Sequence, residues 1–317
     1  VGPWTSERSA EALGAAWEAG SIARAEAVFK GARLLPSAAM ELRSKLVRVP
    51  GRDLEFEVVE GDAIIGPAIE RGGWEEHESR LFDAHVVPGC RVVDLGANVG
   101  WFAVRAILAG AEVHAFEPVP ALCAIARRNV ERAMRRGPGK GVVHQCAAGA
   151  ESGRATIVLA PRNHGDNRVV DAGAAAPADL AGAESIEIEV RPVDELVEGP
   201  VRVLKIDTQG SEWLALRGAR RLLDASRELA LLIEFWPYAL RGCQPKELLD
   251  LLERQGFTMG KATAAPYPMS PERILAQALA RDPVKGGLDL YGTRGLPFHV
   301  GSLTGRLKSL WRSVRER

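Results

Sequence analysis

The sequence predicts an α/β fold, a mostly parallel sheet with helices on both faces. Three observations predict it. Short apolar runs alternate with helical patterns from residue 91 onward, the signature of parallel strands joined by crossover helices. Four of those runs carry an acidic residue at their C-terminal end: Asp94, Glu117, Asp207 and Glu234. The chain has 317 residues and is 46% apolar, enough to bury a sizeable core in one large domain with extensions, or at most two domains.

The elements follow in order. Residues 6–34 read as helix, because Leu13, Ala16, Trp17, Ile22, Ala25, Val28 and Phe29 recur at roughly helical spacing. Residues 46–59 (LVRVPGRDLEFEVV) read as a hairpin around a Pro-Gly turn. A helix over 74–86 leads to the Pro88-Gly89 break. Strand and helix then alternate: strand 91–96, helix 101–111, strand 112–118, helix 121–136 and strand 142–149. Strands at 154–160, 185–191 and 201–207 come next, then helix 211–226, strand 228–235 and helix 245–256. The Ala/Gly-rich stretch 171–185 reads either as a disordered insertion or as a lid. The basic tail 305–317 reads either as a solvated helix end or as a contact for an acidic partner. Expected boundaries are an N-terminal helical and hairpin extension over 1–85, a core over 86–262, and a C-terminal extension over 263–317.

Composition excludes several classes. Lys+Arg and Asp+Glu both total 41, so no global charge argues for nucleic acid or an anionic membrane surface. The four cysteines, Cys90, Cys123, Cys146 and Cys243, show no C-x-x-C spacing, which argues against a zinc knuckle or a dithiol motif. The N-terminal residues show no apolar signal-peptide core, and no run of 18 apolar residues predicts a membrane span. A soluble cytoplasmic protein is expected.

Right-handed crossovers put the C-terminal ends of parallel strands on one edge, where ligands bind in such sheets. The segment VVDLGANVG (92–100) reads as strand, glycine turn and helix start. Gly96 and Gly100 would let a ligand approach the backbone, and the helix start offers free N–H groups. This is not the G-x-G-x-x-G of dinucleotide enzymes. An aspartate precedes the first glycine, where it would repel a pyrophosphate and suit an ammonium or sulfonium. That favours S-adenosylmethionine over NAD. Glu117, at the end of the second strand, is placed to accept hydrogen bonds from ribose hydroxyls, a device NAD enzymes share.

In VLKIDTQGSEW (203–213), Lys205 and Asp207 lie two residues apart and so project to one side of a strand. Asp207, at the tip, is placed to take a proton from a hydroxyl nucleophile. For Lys205 two readings stand: a structural ion pair, or stabilisation of a developing alkoxide. Glu212 reads either as a helix-start carboxylate or as a site residue. A metal held by Asp207 and Glu212 is the weaker reading, since no His pair at metal spacing supports it. The loop NHGDN (163–167) brings His164 as a second candidate base, and Asp166 and Asn167 as groups to orient an acceptor.

VVDLGANVGWFA, HAFEPVP, PRNHGDNRVV and LKIDTQGSEWLALRGA together resemble the FkbM-type family of S-adenosylmethionine-dependent methyltransferases. GGWEEHESRLF and LLIEFWP fit as well, and the resemblance spans about residues 46–260. It implies a Rossmann-like class I methyltransferase fold, with a seven-stranded sheet whose last strand is antiparallel. It also implies methyl transfer to a hydroxyl on a sugar or polyketide-like natural product. The alternative is N-methylation of an amide or amine, with a peptide as one such acceptor. Carried over, Asp94, Gly96, Ala97, Asn98 and Gly100 would hold the methionine half of the cofactor. Glu117 would hold the ribose, with Pro118 beside it among the cofactor-binding residues, and Cys146 and Ala147 would lie near the adenine. Glu75 reads either as facing the methionine end or as a capping acid. Asp166, Asn167, Glu212 and Glu234 complete the expected acceptor side. A nucleotide-binding oxidoreductase and a non-catalytic scaffold are the competing classes; calorimetry with NAD and with S-adenosylmethionine discriminates the first, and the intact glycine turn and the acidic edge argue against the second.

Overall fold

The computed structural model describes residues 34–35, 42–51, 54–171, 176–284 and 286–298. The helix expected over 6–34 and the basic tail therefore lie almost wholly outside the described residues. A short strand β1 (Leu34–Leu35) precedes a hairpin, β2 (Ser44–Arg48) and β3 (Glu55–Val59). Helices α1 (Ile65–Glu70) and α2 (Glu76–Asp83) lead into the alternating region. There follow β4 (Arg91–Leu95), α3 (Trp101–Leu108), β5 (Glu112–Phe116), α4 (Pro120–Met134) and β6 (Lys140–His144). Next come β7 (Ala147–Ala148), β8 (Gly153–Val158), β9 (Arg168–Val170), β10 (Ser185–Arg191) and α5 (Val193–Leu196). Strand β11 (Val203–Ile206) is followed by α6 (Glu212–Gly218), α7 (Arg220–Ala225), β12 (Leu229–Phe235) and α8 (Pro245–Arg254). The last elements are β13 (Thr258–Lys261), α9 (Pro271–Leu279) and β14 (Leu288–Arg294).

The main sheet has seven strands in the order β13-β14-β12-β11-β4-β5-β6. Strands β12, β11, β4, β5 and β6 run parallel, while β14 is antiparallel to both of its neighbours. A mostly parallel sheet with an antiparallel last strand is the expected fold class. Side chains alternate across it, and each face has its own core. Val92, Val113, Ala115 and Val203 pack with α3, α4 and β3 on one side. Val93, Leu95, Leu204 and Ile206 pack with α6, α7 and α8 on the other. A smaller sheet, β1-β10-β8-β9 with β7 on β10, joins the first core through Ile157, Ile186 and Ile188.

Three details depart from the sequence reading. The sheet continues past the boundary expected at residue 262, because β14 inserts between β12 and β13. The strand expected over 142–149 is two strands. Its first part pairs with β5, and Ala147 and Ala148 pair instead with β10. The helix expected over 211–226 breaks at Ala219 (φ −110°, ψ 19°), beside Gly218, whose backbone abuts the Gly149 carbonyl too closely to admit a Cβ. The stretch 171–185 contains a 3₁₀ turn at Ala178–Leu180, and residues 172–175 are not described.

Candidate active site

The tips of β4, β5, β11 and β12 open on a cavity of about 490 Å³, within the size range of small-molecule sites. Gly96, Ala97, Asn98, Glu117, Pro118, Cys146 and Ala147 line it, as do Glu75, Lys205, Asp207 and Glu234. His164, Asp166 and Asn167 line it from the loop before β9. The structure thus brings together residues from most of the expected set.

Three expected residues do not line the cavity. Asp94 sits one residue inside the end of β4, only 1% exposed, in register with Lys205 on β11. The backbone N–H of Ala103, in the first turn of α3, favours its ionised form, as does Lys205. Gly100 opens α3 at φ 89° and packs on Ala126 of α4, so its space is taken by a helix. Glu212 is fully buried. Its Oε1 accepts hydrogen bonds from the Thr208 N–H (3.1 Å), the Thr208 hydroxyl (3.1 Å) and the Gly210 N–H (3.0 Å). Its carboxylate, at the first residue of α6, thus holds the turn that precedes the helix. Gly96 lines the cavity, but its glycine has another cause: a Cβ there would lie 1.8 Å from the Asp207 carbonyl oxygen. The turn after β4 must pass against the turn after β11, and only glycine allows that.

Lys205 and Asp207 do project to one side, as strand periodicity demands. The Lys205 Nζ donates to Asp207 Oδ2 at 3.0 Å and lies 3.6 Å from Glu75 Oε2. It also sits 4.6 Å from the Phe102 ring centroid, within cation–π range. One ammonium thus serves Asp207, Glu75 and, through strand register, Asp94. These carboxylates hold its pKa above the ordinary lysine value despite burial. Asp207 Oδ1 accepts from Gln209 Nε2 at 2.8 Å, and the same nitrogen donates to Glu234 Oε2 at 2.8 Å.

Burial pushes the remaining carboxyls up. Glu117 is raised to about 8 and Asp94 to about 6, the latter against the pull of Lys205. Glu75 and Glu234 are also raised, first by burial and also by the neighbouring Asp207. Glu117 Oε2 accepts from the Asn98 N–H and Oε1 from the Val119 N–H, both at 2.9 Å. Each oxygen keeps a lone pair for a ligand. Asn98 holds a left-handed φ of 52°, and its Nδ2 donates to the His164 carbonyl at 2.8 Å. That bond ties the glycine turn to the NHGDN loop. Burial lowers the His164 imidazole below its ordinary value, so it is neutral near pH 7. In the same loop Asp166 pairs with Arg168, which also holds Asp179 and stacks 4.4 Å from the Trp236 ring.

Sequence reasoning missed Gln209 as more than a turn residue, and missed Trp74, Trp236 and Asp289, which also line the cavity. Gln209 carried a signal, since it stands in KIDTQG. Asp289 carried none, because β14 was not recognised as a strand.

A family profile described as the methyltransferase FkbM domain matches residues 94–259, more than half of the chain. The chain belongs to the FkbM methyltransferase family. The matched region is an S-adenosylmethionine-dependent methyltransferase domain. Among curated proteins no sequence matches this chain. Several solved structures are similar. The FkbM methyltransferase from Methylobacillus flagellatus KT is 21% identical, with 64% of this chain and 43% of that chain covered, at a TM-score of 0.40. This chain therefore spans less than half the length of that one. Magnesium protoporphyrin IX methyltransferase from Synechocystis PCC 6803 with bound SAM is 12% identical, covering 73% and 84%, at a TM-score of 0.39. A TehB-like SAM-dependent methyltransferase from Corynebacterium glutamicum ATCC 13032 Kitasato is 15% identical, covering 70% and 88%, at a TM-score of 0.36. No helix among the described residues of this FkbM chain is long and apolar enough to cross a membrane.

Proposed function

We propose that the chain methylates a hydroxyl oxygen of a sugar or natural-product-type small molecule, with Asp207 taking the hydroxyl proton. The observation that carries this reading is the Asp207 carboxylate at the tip of β11. It lines the cavity with one oxygen on the Lys205 ammonium and the other on the Gln209 amide. S-adenosylmethionine, when bound, supplies a methyl carbon activated by its sulfonium.

The residues present fit that cofactor. Glu75, Asp207 and Glu234 line the cavity against a single lysine, a balance that favours a cationic ligand. Glu117 has lone pairs free for ribose hydroxyls, and Pro118, Cys146 and Ala147 offer a mostly apolar wall for adenine. Ala97 and Asn98 supply the turn beside the methionine end. A sugar or alkyl hydroxyl has a pKa far above 7, so a positioned carboxylate that accepts its proton supports catalysis. Lys205, two residues back along the chain, holds Asp207 oriented through its hydrogen bond. His164 and Asn167, across the cavity, would orient the acceptor together with Asp166.

The test is turnover on a panel of methyl glycosides, macrolactone polyols, amines and short peptides, with products sized by mass spectrometry and then hydrolysed in acid and in base. Methyl ethers are expected. Methylation confined to amines or amides would overturn the reading.

Cofactor binding should release protons. Near pH 7 the Glu117 carboxyl is largely protonated in the free protein, because its pKa stands near 8. Hydrogen bonds donated to it favour the ionised form, as a cation does for Glu75. Affinity for S-adenosylmethionine should therefore rise between pH 6 and 8. Calorimetry in buffers of different ionisation heat should register net proton release at pH 7; proton uptake or none would contradict the assignment. For the free protein the sign is the reverse. A raised carboxyl contributes stability that is fully present below its ordinary 4.5 and is lost as pH climbs through about 8.

A further inference from the structure

We infer that Gln209 is a positioning residue: it fixes the Asp207 carboxylate toward the acceptor by bridging it to Glu234, and Glu212 holds Gln209 in place from below. The inference rests on Asp207 being the base. It concerns a side chain that lines the cavity and has no role in the reading above.

The bridge is built from both ends. A primary amide nitrogen has two N–H groups, and here each finds a carboxylate oxygen at 2.8 Å. Only the NH₂ end of an amide can serve two such acceptors, so chemistry fixes which way the group points. Asp207 then has no free rotation, because Lys205 holds its other oxygen at 3.0 Å. Glu234 is anchored as well, its Oε1 accepting from the Gly287 N–H at 3.4 Å.

The backbone of Gln209 adds an independent observation. It stands at φ 51°, in the left-handed region that few non-glycine residues occupy. A turn alone would be served more cheaply by glycine or asparagine at that position. The strained conformation persists because Glu212, fully buried, grips the residues on either side of Gln209 through the Thr208 and Gly210 N–H groups. Strain held in place by a buried carboxylate, with the side chain delivered onto a candidate base, marks a functional position.

The arrangement also divides the labour between two neighbouring carboxyls. Asp207 receives an ammonium and an amide N–H. Glu234 receives no cation among its described contacts, and burial beside Asp207 raises it. Gln209 donates to both carboxyls at once. A carboxylate in place of Gln209 would break this division.

The test compares Gln209→Leu and Gln209→Glu with wild type in two ways. The first is a ¹³C-carboxyl NMR titration of Asp207, its resonance assigned with Asp207→Asn. The charged groups that act on Asp207 are Lys205 on its own strand, Asp94, Glu117, Glu75, Glu78, Asp166, Glu212, Glu234 and Asp289. All remain in both variants, so a difference from wild type reports Gln209. Loss of one donor to the anion should move the Asp207 midpoint up by about one pH unit, and Gln209→Glu should move it at least as far. The second readout is turnover on the best acceptor of the panel above. kcat should fall about 10²-fold for Gln209→Leu through misplacement of the base, while KM for S-adenosylmethionine holds and the acid limb of the pH profile shifts upward. An unmoved midpoint overturns the inference whatever the turnover, and so does wild-type kcat with a moved midpoint. If Asp207→Asn itself keeps wild-type turnover, it is the assignment of the base that fails, a result separable from the Gln209 midpoint.

Discussion

Asp207→Asn is expected to bind S-adenosylhomocysteine with wild-type affinity and to lose turnover by about 10²–10⁴-fold. The substitution keeps shape and volume. It leaves one oxygen to accept from Lys205 or Gln209, so the strand tip stays ordered while the group that accepts a proton is gone. The groups assigned to the nucleoside, Glu117, Pro118, Cys146 and Ala147, lie on other elements of the cavity wall and are untouched. S-adenosylhomocysteine is the right probe because it lacks the sulfonium charge, whose attraction to Asp207 would otherwise confound affinity with catalysis. Weakened binding with preserved turnover would invert the assignment and make Asp207 a cofactor ligand. Preserved turnover with preserved binding would move the base elsewhere. His164 is then next, because it faces the cavity and burial keeps it neutral near pH 7.

Much of this site is legible in the sequence because it obeys local periodicities. Lys205 and Asp207 share a side because strand side chains alternate, and Glu117 and Glu234 reach the ligand edge because parallel strands end there. The contents of that edge were therefore readable, but their depth was not. Asp94 lies one position short of the tip, and that single position changes a cavity-lining acid into a buried partner of Lys205. Long-range contacts were equally unreadable. Gly96 is glycine because of the Asp207 carbonyl, over a hundred residues away. β14 carries glycine and charged residues, LDLYGTR, and becomes a strand only through pairing with β12 and β13. The same holds for Glu212. Nothing in SEW announces a carboxylate that turns inward to hold its own preceding turn.

Lys205→Met should destabilise the free protein at pH 7 by about 3–5 kcal/mol, the usual cost of removing one partner from a buried charge network. Methionine fills the same space against Phe102, so packing is nearly conserved and the loss is electrostatic. Asp94 is the residue left worst off. It is buried, and Lys205 is the largest of the influences that oppose the upward push of burial, ahead of the Ala103 N–H. Without the ammonium the carboxyls of Asp94 and Glu75 rise further and take up protons, which limits the damage. The sign of the pH dependence follows. A carboxyl raised in the folded state contributes stability that is complete below its ordinary value and disappears as pH rises through its folded value. The gap between wild type and variant should therefore be small near pH 4 and widen toward pH 8. Denaturant unfolding across that range measures it. A gap that narrows with rising pH would show that Lys205 does not balance these acids. A second arm separates charge from packing. S-adenosylmethionine brings a sulfonium to the same acidic pocket, whereas S-adenosylhomocysteine does not. Ligand-induced stabilisation should thus exceed that of the wild type more for the former than for the latter, because the bound cation partly replaces the one removed.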